Sequence, residues 1–242
     1  MPRRPPPSSR LQRRLACHQA LHDPQREPRN RLHWLPALRR WQAARLEASF
    51  RRFLDDPQRR PAARFFLTDV YGDHDFSRRD ADIARVLPTM QGLLPAALLD
   101  TVADGIELGV LTQAFDLRMA EALQRIAPRR RRVDAGLYAQ AYRAVGLPRL
   151  RERQIVLIGR VGAGLGAAVR KPGIRMLLKF ARGPARAAGL AELQAFLEHG
   201  FDAFARLGDV DAFLADIQRG ERGIMRGLFA GDPEPFQLPP TA

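Results

Sequence analysis

The residues whose types and spacing could do chemistry crowd into one short stretch: Asp69, Tyr71, Asp73, His74 and Asp75, followed by Asp80 and Asp82. Carboxylate oxygens and an imidazole at this density are donors that a hard or borderline divalent cation takes. They are also the groups that a helical enzyme with a carboxylate/His site over Asp69–Asp82 would use. Local structure accounts for most of them without a ligand. Ser77 and Asp80 have the spacing of a helix-capping box, with Asp in place of Glu. Asp73 and Asp75 follow Gly72 and suit a turn. Nor does the pattern reproduce the twelve-residue calcium loop, which ends in Glu. The stretch is therefore expected to be a capped turn between two helices, held by arginines and free of metal.

A second acidic set, Asp100, Asp104 and Glu107, falls at i, i+4 and i+7, so its three carboxylates share one helix face. Helical di-metal centres add Glu-x-x-His pairs to such a face, and this chain has no histidine between His74 and His199. Unpaired buried carboxylates are costly, so pairing with arginines of the basic blocks is expected instead. Gly162, Gly164 and Ala167 fit the spacing G-x-G-x-x-A after the apolar run Ile155–Ile158. That spacing marks a dinucleotide-binding turn only within a βαβ unit, with an acidic residue some twenty positions on. Pro172 would cut the following helix, and no such unit or acid is present. Small residues for close helix packing are the expectation.

The strongest charge signal lies between Arg129 and Arg186, where fifteen cationic residues face only Asp134 and Glu152. Within it, Arg170, Lys171, Arg175, Lys179, Arg182 and Arg186 form a stripe that could neutralise the phosphates of nucleic acid, an anionic lipid or a nucleotide. Base-stacking aromatics are scarce there, with only Tyr138, Tyr142 and Phe180 nearby. No helix-turn-helix, zinc-finger or RNA-binding signature accompanies the stripe, so nucleic acid is possible but not favoured. Nucleophilic catalysis finds little footing. Cys17 lies near His18 and His22 only in sequence, and the serines are few.

These groups must be carried by elements, and the pattern is helical throughout. The chain has 242 residues and a formal net charge of +14. All its cations are arginines except Lys171 and Lys179. An excess of Arg, Ala, Leu and Gly with almost no Lys is also what a GC-rich genome produces. Residues 1–60 carry 15 basic and 5 acidic side chains, 61–127 carry 6 and 10, 128–188 carry 15 and 2, and 189–242 carry 4 and 9. Such alternation suits either oppositely charged layers or one segregated basic face. A short helix is expected from Ser9 to Leu21, and a longer pattern from Pro28 to Leu54 divided or kinked at Pro36. Asp56-Pro57 reads as a helix start, and the helix that bears Phe65, Phe66 and Val70 should stop at Gly72. Ile83, Val86, Leu87 and Met90 form the clearest stripe.

Residues 95–126 are apolar nearly all round, as a central buried helix or a pair broken near Gly105–Gly109 would be. Further helices are expected over 134–146, 149–170, 173–186, 190–207 and from Phe213 to Phe229. The fold class is all-α: a single-domain bundle of about eight to ten helices over 10–230, with a disordered arm at 1–9 and a loose Pro-rich tail at 231–242.

The block Phe65-Phe66-Leu67-Thr68-Asp69-Val70-Tyr71-Gly72, followed by Asp75-Phe76-Ser77-Arg78-Arg79-Asp80, resembles the bacterial FFLEELY-motif proteins. Thr68-Asp69-Val70 stands where the motif has Glu-Glu-Leu, so one acidic position is lost. The likeness continues more loosely through Arg170-Lys171-Pro172 and from Gly189 to Phe204. It marks a family and implies no activity. One cysteine excludes an intramolecular disulfide framework. No apolar region follows the basic N-terminus, and no run approaches the ~20 apolar residues of a membrane span. The expectation is a cytoplasmic, non-catalytic binding protein without cofactor, whose arginine-rich surface engages an anionic or protein partner.

Overall fold

The structure is a computed structural model that describes residues 7–70, 86 and 96–237. The chain folds as an all-α multi-helix bundle, with nine α-helices and no strand among the described residues. In order these are α1 (Pro7–His22), α2 (Trp34–Asp55), α3 (Arg60–Phe65), α4 (Ala96–Ile126), α5 (Ala135–Val145), α6 (Pro148–Val169), α7 (Ile174–Ala187), α8 (Ala191–Ala205) and α9 (Val210–Ala230).

The axis of the bundle is α4, whose 31 residues run without a break through Gly105 and Gly109. The alternative of a broken helix pair does not apply, because α1, α2, α5 and α6 all pack along α4 and hold its helical geometry. Gly109 is where α1 comes closest: a Cβ there would lie 3.2 Å from Cε1 of His18. Helix α6 is the second organising element and lies against both α4 and α9. A Cβ on Gly166 would approach Val210 Cγ1 to 2.8 Å, and one on Gly162 would overlap the Leu214 side chain. The glycines at 162, 164 and 166 thus sit inside a helix and permit close packing, as their context implied.

Two large apolar clusters result. One is aromatic and joins α2, α3, α8 and α9 through Phe50, Phe53, Phe65, Phe66, Phe204 and Phe213. Phe65 and Phe66 are each 4% exposed. Their rings stand 6.5 and 6.1 Å from Phe204, the edge-on spacing aromatic pairs favour. The other cluster gathers Trp34, Leu38, Leu117, Leu123, Tyr138, Tyr142 and Leu228. The tail is docked as far as it is described. Phe236 meets Trp41 at 5.4 Å and Tyr138 at 5.9 Å, so the expected looseness does not hold at 231–237.

Local signals explain most boundaries. Asp134 caps α5 by accepting the Leu137 amide at 2.8 Å, and Gly146 ends that helix at φ +65°. Asp209 caps α9 through the Ala212 amide at 2.8 Å. The pattern expected from Pro28 to Leu54 is instead a 3-10 turn, Pro28–Arg31, followed by α2. Pro36 does not kink α2. It sits in the first turn, where a backbone N–H would have no helical acceptor anyway. Asp56 does cap, accepting the Gln58 amide at 2.8 Å, but it caps a turn, and α3 begins only at Arg60. Helix α3 then widens into a single π-helical turn, Phe66–Val70.

Candidate functional site

Of the acidic turn, the structure describes Asp69; Tyr71, Asp73, His74, Asp75, Asp80 and Asp82 lie outside the described residues. Asp69 sits on the π-helical turn that begins at Phe66, a geometry frequent at functional sites. Its Oδ2 accepts the Thr68 hydroxyl at 2.6 Å, and its Oδ1 stands 3.2 Å from Nδ1 of His199 on α8. His199 lies 130 residues away, and nothing in local spacing connects the two. Gly200 makes the approach of α8 possible, since a Cβ there would meet Phe65 Cζ at 2.9 Å. The chemistry of this trio is limited. The carboxylate stands between hydroxyl and imidazole, so His199 cannot take the Thr68 proton as a triad histidine would.

Two of the three ladder carboxylates on α4, Asp104 and Glu107, are spent on arginines. Asp104, buried, pairs with Arg160 at 2.7 Å and Arg14 at 3.7 Å. Glu107 pairs with Arg14 and, at 2.8 Å, with Arg153. These pairs tie α1 and α6 to the central helix and spare the carboxylates the cost of burial without a partner. Among the described residues no group of three His, Cys, Asp or Glu could hold a metal ion.

The six basic stripe residues are all exposed and share one region. Arg170 and Lys171 stand at the junction of α6 and α7, and Arg175, Lys179, Arg182 and Arg186 are spaced four, three and four along α7. Such spacing puts the four on one helix face. Helix α7 packs chiefly on α8, against which Ile174, Leu178, Ala181 and Ala185 are half-buried. Two of the cations are engaged there. Arg182 makes a two-point contact with Glu198, at 2.7 and 2.8 Å, which holds the Glu198 carboxyl below the usual carboxylate range. Arg175 reaches Asp202 at 3.6 Å. Among the described residues Arg170, Lys171, Lys179 and Arg186 have no carboxylate within ion-pair distance.

A third stripe on α7 does not stand out from sequence spacing. Met176, Leu177 and Phe180 are 53, 54 and 72% exposed. No residue of α7 is fully buried. The sequence does carry a signal for this. Apolar residues fill more of the α7 circumference than contact with a single neighbouring helix can cover.

Sequence spacing also misses a buried polar centre around Gln113, Asp116 and Arg151. Gln113 Nε2 donates to Asn30 Oδ1 at 2.8 Å, and Arg39 donates to Gln113 Oε1 at 2.5 Å. Burial pushes the Asp116 carboxyl above its ordinary range, against the opposing pull of Arg39 at 3.4 Å and Gln42 at 3.2 Å. The Arg151 guanidinium is clamped between the Phe115 ring at 3.7 Å and the Tyr142 ring at 4.2 Å. Its Nε and Nη2 meet no protein acceptor among the described residues.

The fold and surface define an all-α bundle with one basic, partly apolar helix displayed on its outside. No described helix is long and apolar enough to cross a membrane. Residues 21–235 match the family model described as a domain of unknown function (DUF8198), and the chain belongs to that family. No curated protein and no solved structure matches it.

Proposed function

We propose that this chain is a non-catalytic cytoplasmic binding protein whose arginine-rich surface, centred on α7, engages an anionic partner. The observation that carries this is the unbalanced charge of residues 170–186, which contain six cations and no acid. Among the described residues only Arg175 and Arg182 of these have carboxylate partners, both on α8. Exposed ion pairs of that kind contribute little to stability, so the stripe is not explained by holding α7 in place. The block from Phe65 to Gly72 is the family's version of the FFLEELY motif on this reading, and its Phe65 and Phe66 serve chiefly to lock α3 onto α8. A carboxylate/His enzyme is less well supported, because Asp69 orients both Thr68 and His199 rather than receiving a proton relay.

Retention on immobilised heparin, a polyanion, tests the proposal. The wild-type protein should elute at distinctly higher salt than the triple variant Lys171→Gln/Lys179→Gln/Arg186→Gln. Elution of both at the same salt would refute it, since a charge spread evenly over the surface would not depend on these three positions.

A further inference from the structure

We propose that the anionic partner is a lipid bilayer surface and that α7 is the element that lies in its interface. This inference rests on the anion-binding role of α7 and names the partner.

Three stripes run along α7 when its residues are placed at about 100° per residue. Ile174, Leu178, Ala181 and Ala185 face α8 and are half-buried. Arg175, Lys179, Arg182 and Arg186 occupy one flank of that contact, and Met176, Phe180 and Leu177 run from the outward side round to the other flank. An apolar stripe in water with cations across the helix from it is the anatomy of a helix that lies in a headgroup plane, its apolar side chains below and its cations reaching back to phosphates. Arg and Lys stems are long enough to reach headgroups from a flank while the apolar side chains sink.

The observations favour lipid over other polyanions. Phe180 is the one aromatic residue of α7, and a single ring gives no platform for successive bases. Met176 and Leu177 offer nothing that hydrogen-bonds a base or a phosphorylated peptide, and 53 and 54% exposure would be left unused in a purely electrostatic complex. One side of α7 is already committed to α8, held by a hydrogen bond of 2.7 Å from Gln194 Nε2 to the Leu178 carbonyl. A partner groove that envelops an amphipathic helix would have to displace that contact. A flat surface need not.

The test uses the full chain and two kinds of vesicle, phosphatidylcholine alone and phosphatidylcholine containing about 30% phosphatidylglycerol. Co-sedimentation should occur with the anionic vesicles and be weak or absent with the neutral ones. Met176→Gln/Phe180→Gln should lower the partition coefficient by about tenfold or more, because the apolar contribution is lost while the charge is kept. These side chains are exposed, so the variant keeps the wild-type circular dichroism. In a Phe180→Trp variant, the indole emission should move to shorter wavelength when anionic vesicles are added. Equal partitioning of the apolar variant and the parent, or an unmoved emission on bound protein, would overturn the proposal. Heparin retention lost in the Lys171→Gln/Lys179→Gln/Arg186→Gln variant, together with no sedimentation on anionic vesicles, would overturn the lipid proposal and leave the anionic-partner reading standing. Failure in both assays would remove both.

Discussion

Replacing Arg151 separates charge from volume at the most unusual side chain of the core. Arg151 is 6% exposed, stacked between Phe115 and Tyr142, and two of its nitrogens have no protein acceptor among the described residues. Burial pulls its guanidinium pKa down, with Tyr138, Tyr142 and Asp116 pulling the other way. Taking the cation out of water costs several kcal/mol. Two desolvated cation–π contacts return about 2 kcal/mol each. The charge is therefore close to neutral in its effect, and the packing of the stem contributes more. Arg151→Ala removes that stem and should cost about 2–4 kcal/mol, as large-to-small core changes do. Arg151→Met keeps the volume, puts a thioether between two rings and sheds the desolvation cost. It should fall within about 1 kcal/mol of the parent or exceed it. Urea unfolding followed by circular dichroism measures both. If Arg151→Met proves as costly as Arg151→Ala, the charge itself holds the site and stem packing does not.

Three further outcomes rest on the same physics. Asp116 has a folded pKa raised above its ordinary 3.8, so its contribution is fully present below that value and is lost as pH rises through the raised one. Asp116→Asn removes this titration, and urea unfolding should show the variant gaining on the parent as pH rises from about 4; a constant difference would refute the assignment. Gly162→Ala forces a methyl into Leu214 and should destabilise by about 1–3 kcal/mol. Gly223→Ala, in α9 with no atom within 4 Å of the new methyl, should stabilise by about 0.5–1 kcal/mol. Thermal unfolding decides both signs. Glu198→Gln frees Arg182 from its carboxylate, so the variant should elute from heparin at higher salt than the parent; earlier elution would show that Arg182 contributes nothing to the basic face.

The helices are legible in the sequence where periodicity and punctuation agree. Asp134 and Gly146 bracket α5 within a residue of expectation, because a capping carboxylate and a left-handed glycine act through local backbone geometry. Pro36 misleads for the opposite reason: a proline is a breaker or a first-turn residue depending on where the helix begins, and a flanking 3-10 turn moves that start. Spacing alone puts the carboxylates of α4 on one face, and it foretells their arginine partners only as a class. Which cations arrive, Arg14, Arg153 and Arg160, depends on packing across 46 residues or more, beyond any local rule. His199 beside Asp69 is invisible to spacing for that reason too. Gly200 is the clue, a small residue in a stripe of Leu and Phe that lets α8 close on Phe65.

Composition and placement give different answers about the positive charge. A bias towards Arg over Lys would scatter arginines wherever the surface tolerates them, and many here do meet carboxylates, as Arg45 with Glu221 and Arg222 with Glu152 at 2.8 Å each. The same bias would thin lysine throughout. Yet both lysines of the chain, Lys171 and Lys179, fall in its longest acid-free stretch, residues 153–191. Nor does a preference for arginine account for Phe180 standing 72% exposed beside Met176 and Leu177. An exposed apolar residue is ordinary alone, whereas three along one side of a helix whose other flank is cationic form a patch of the kind that marks an interaction site. The two anomalies meet on α7 and the turn that leads into it. Their coincidence, rather than the net charge of +14, is what makes α7 the place to look for function.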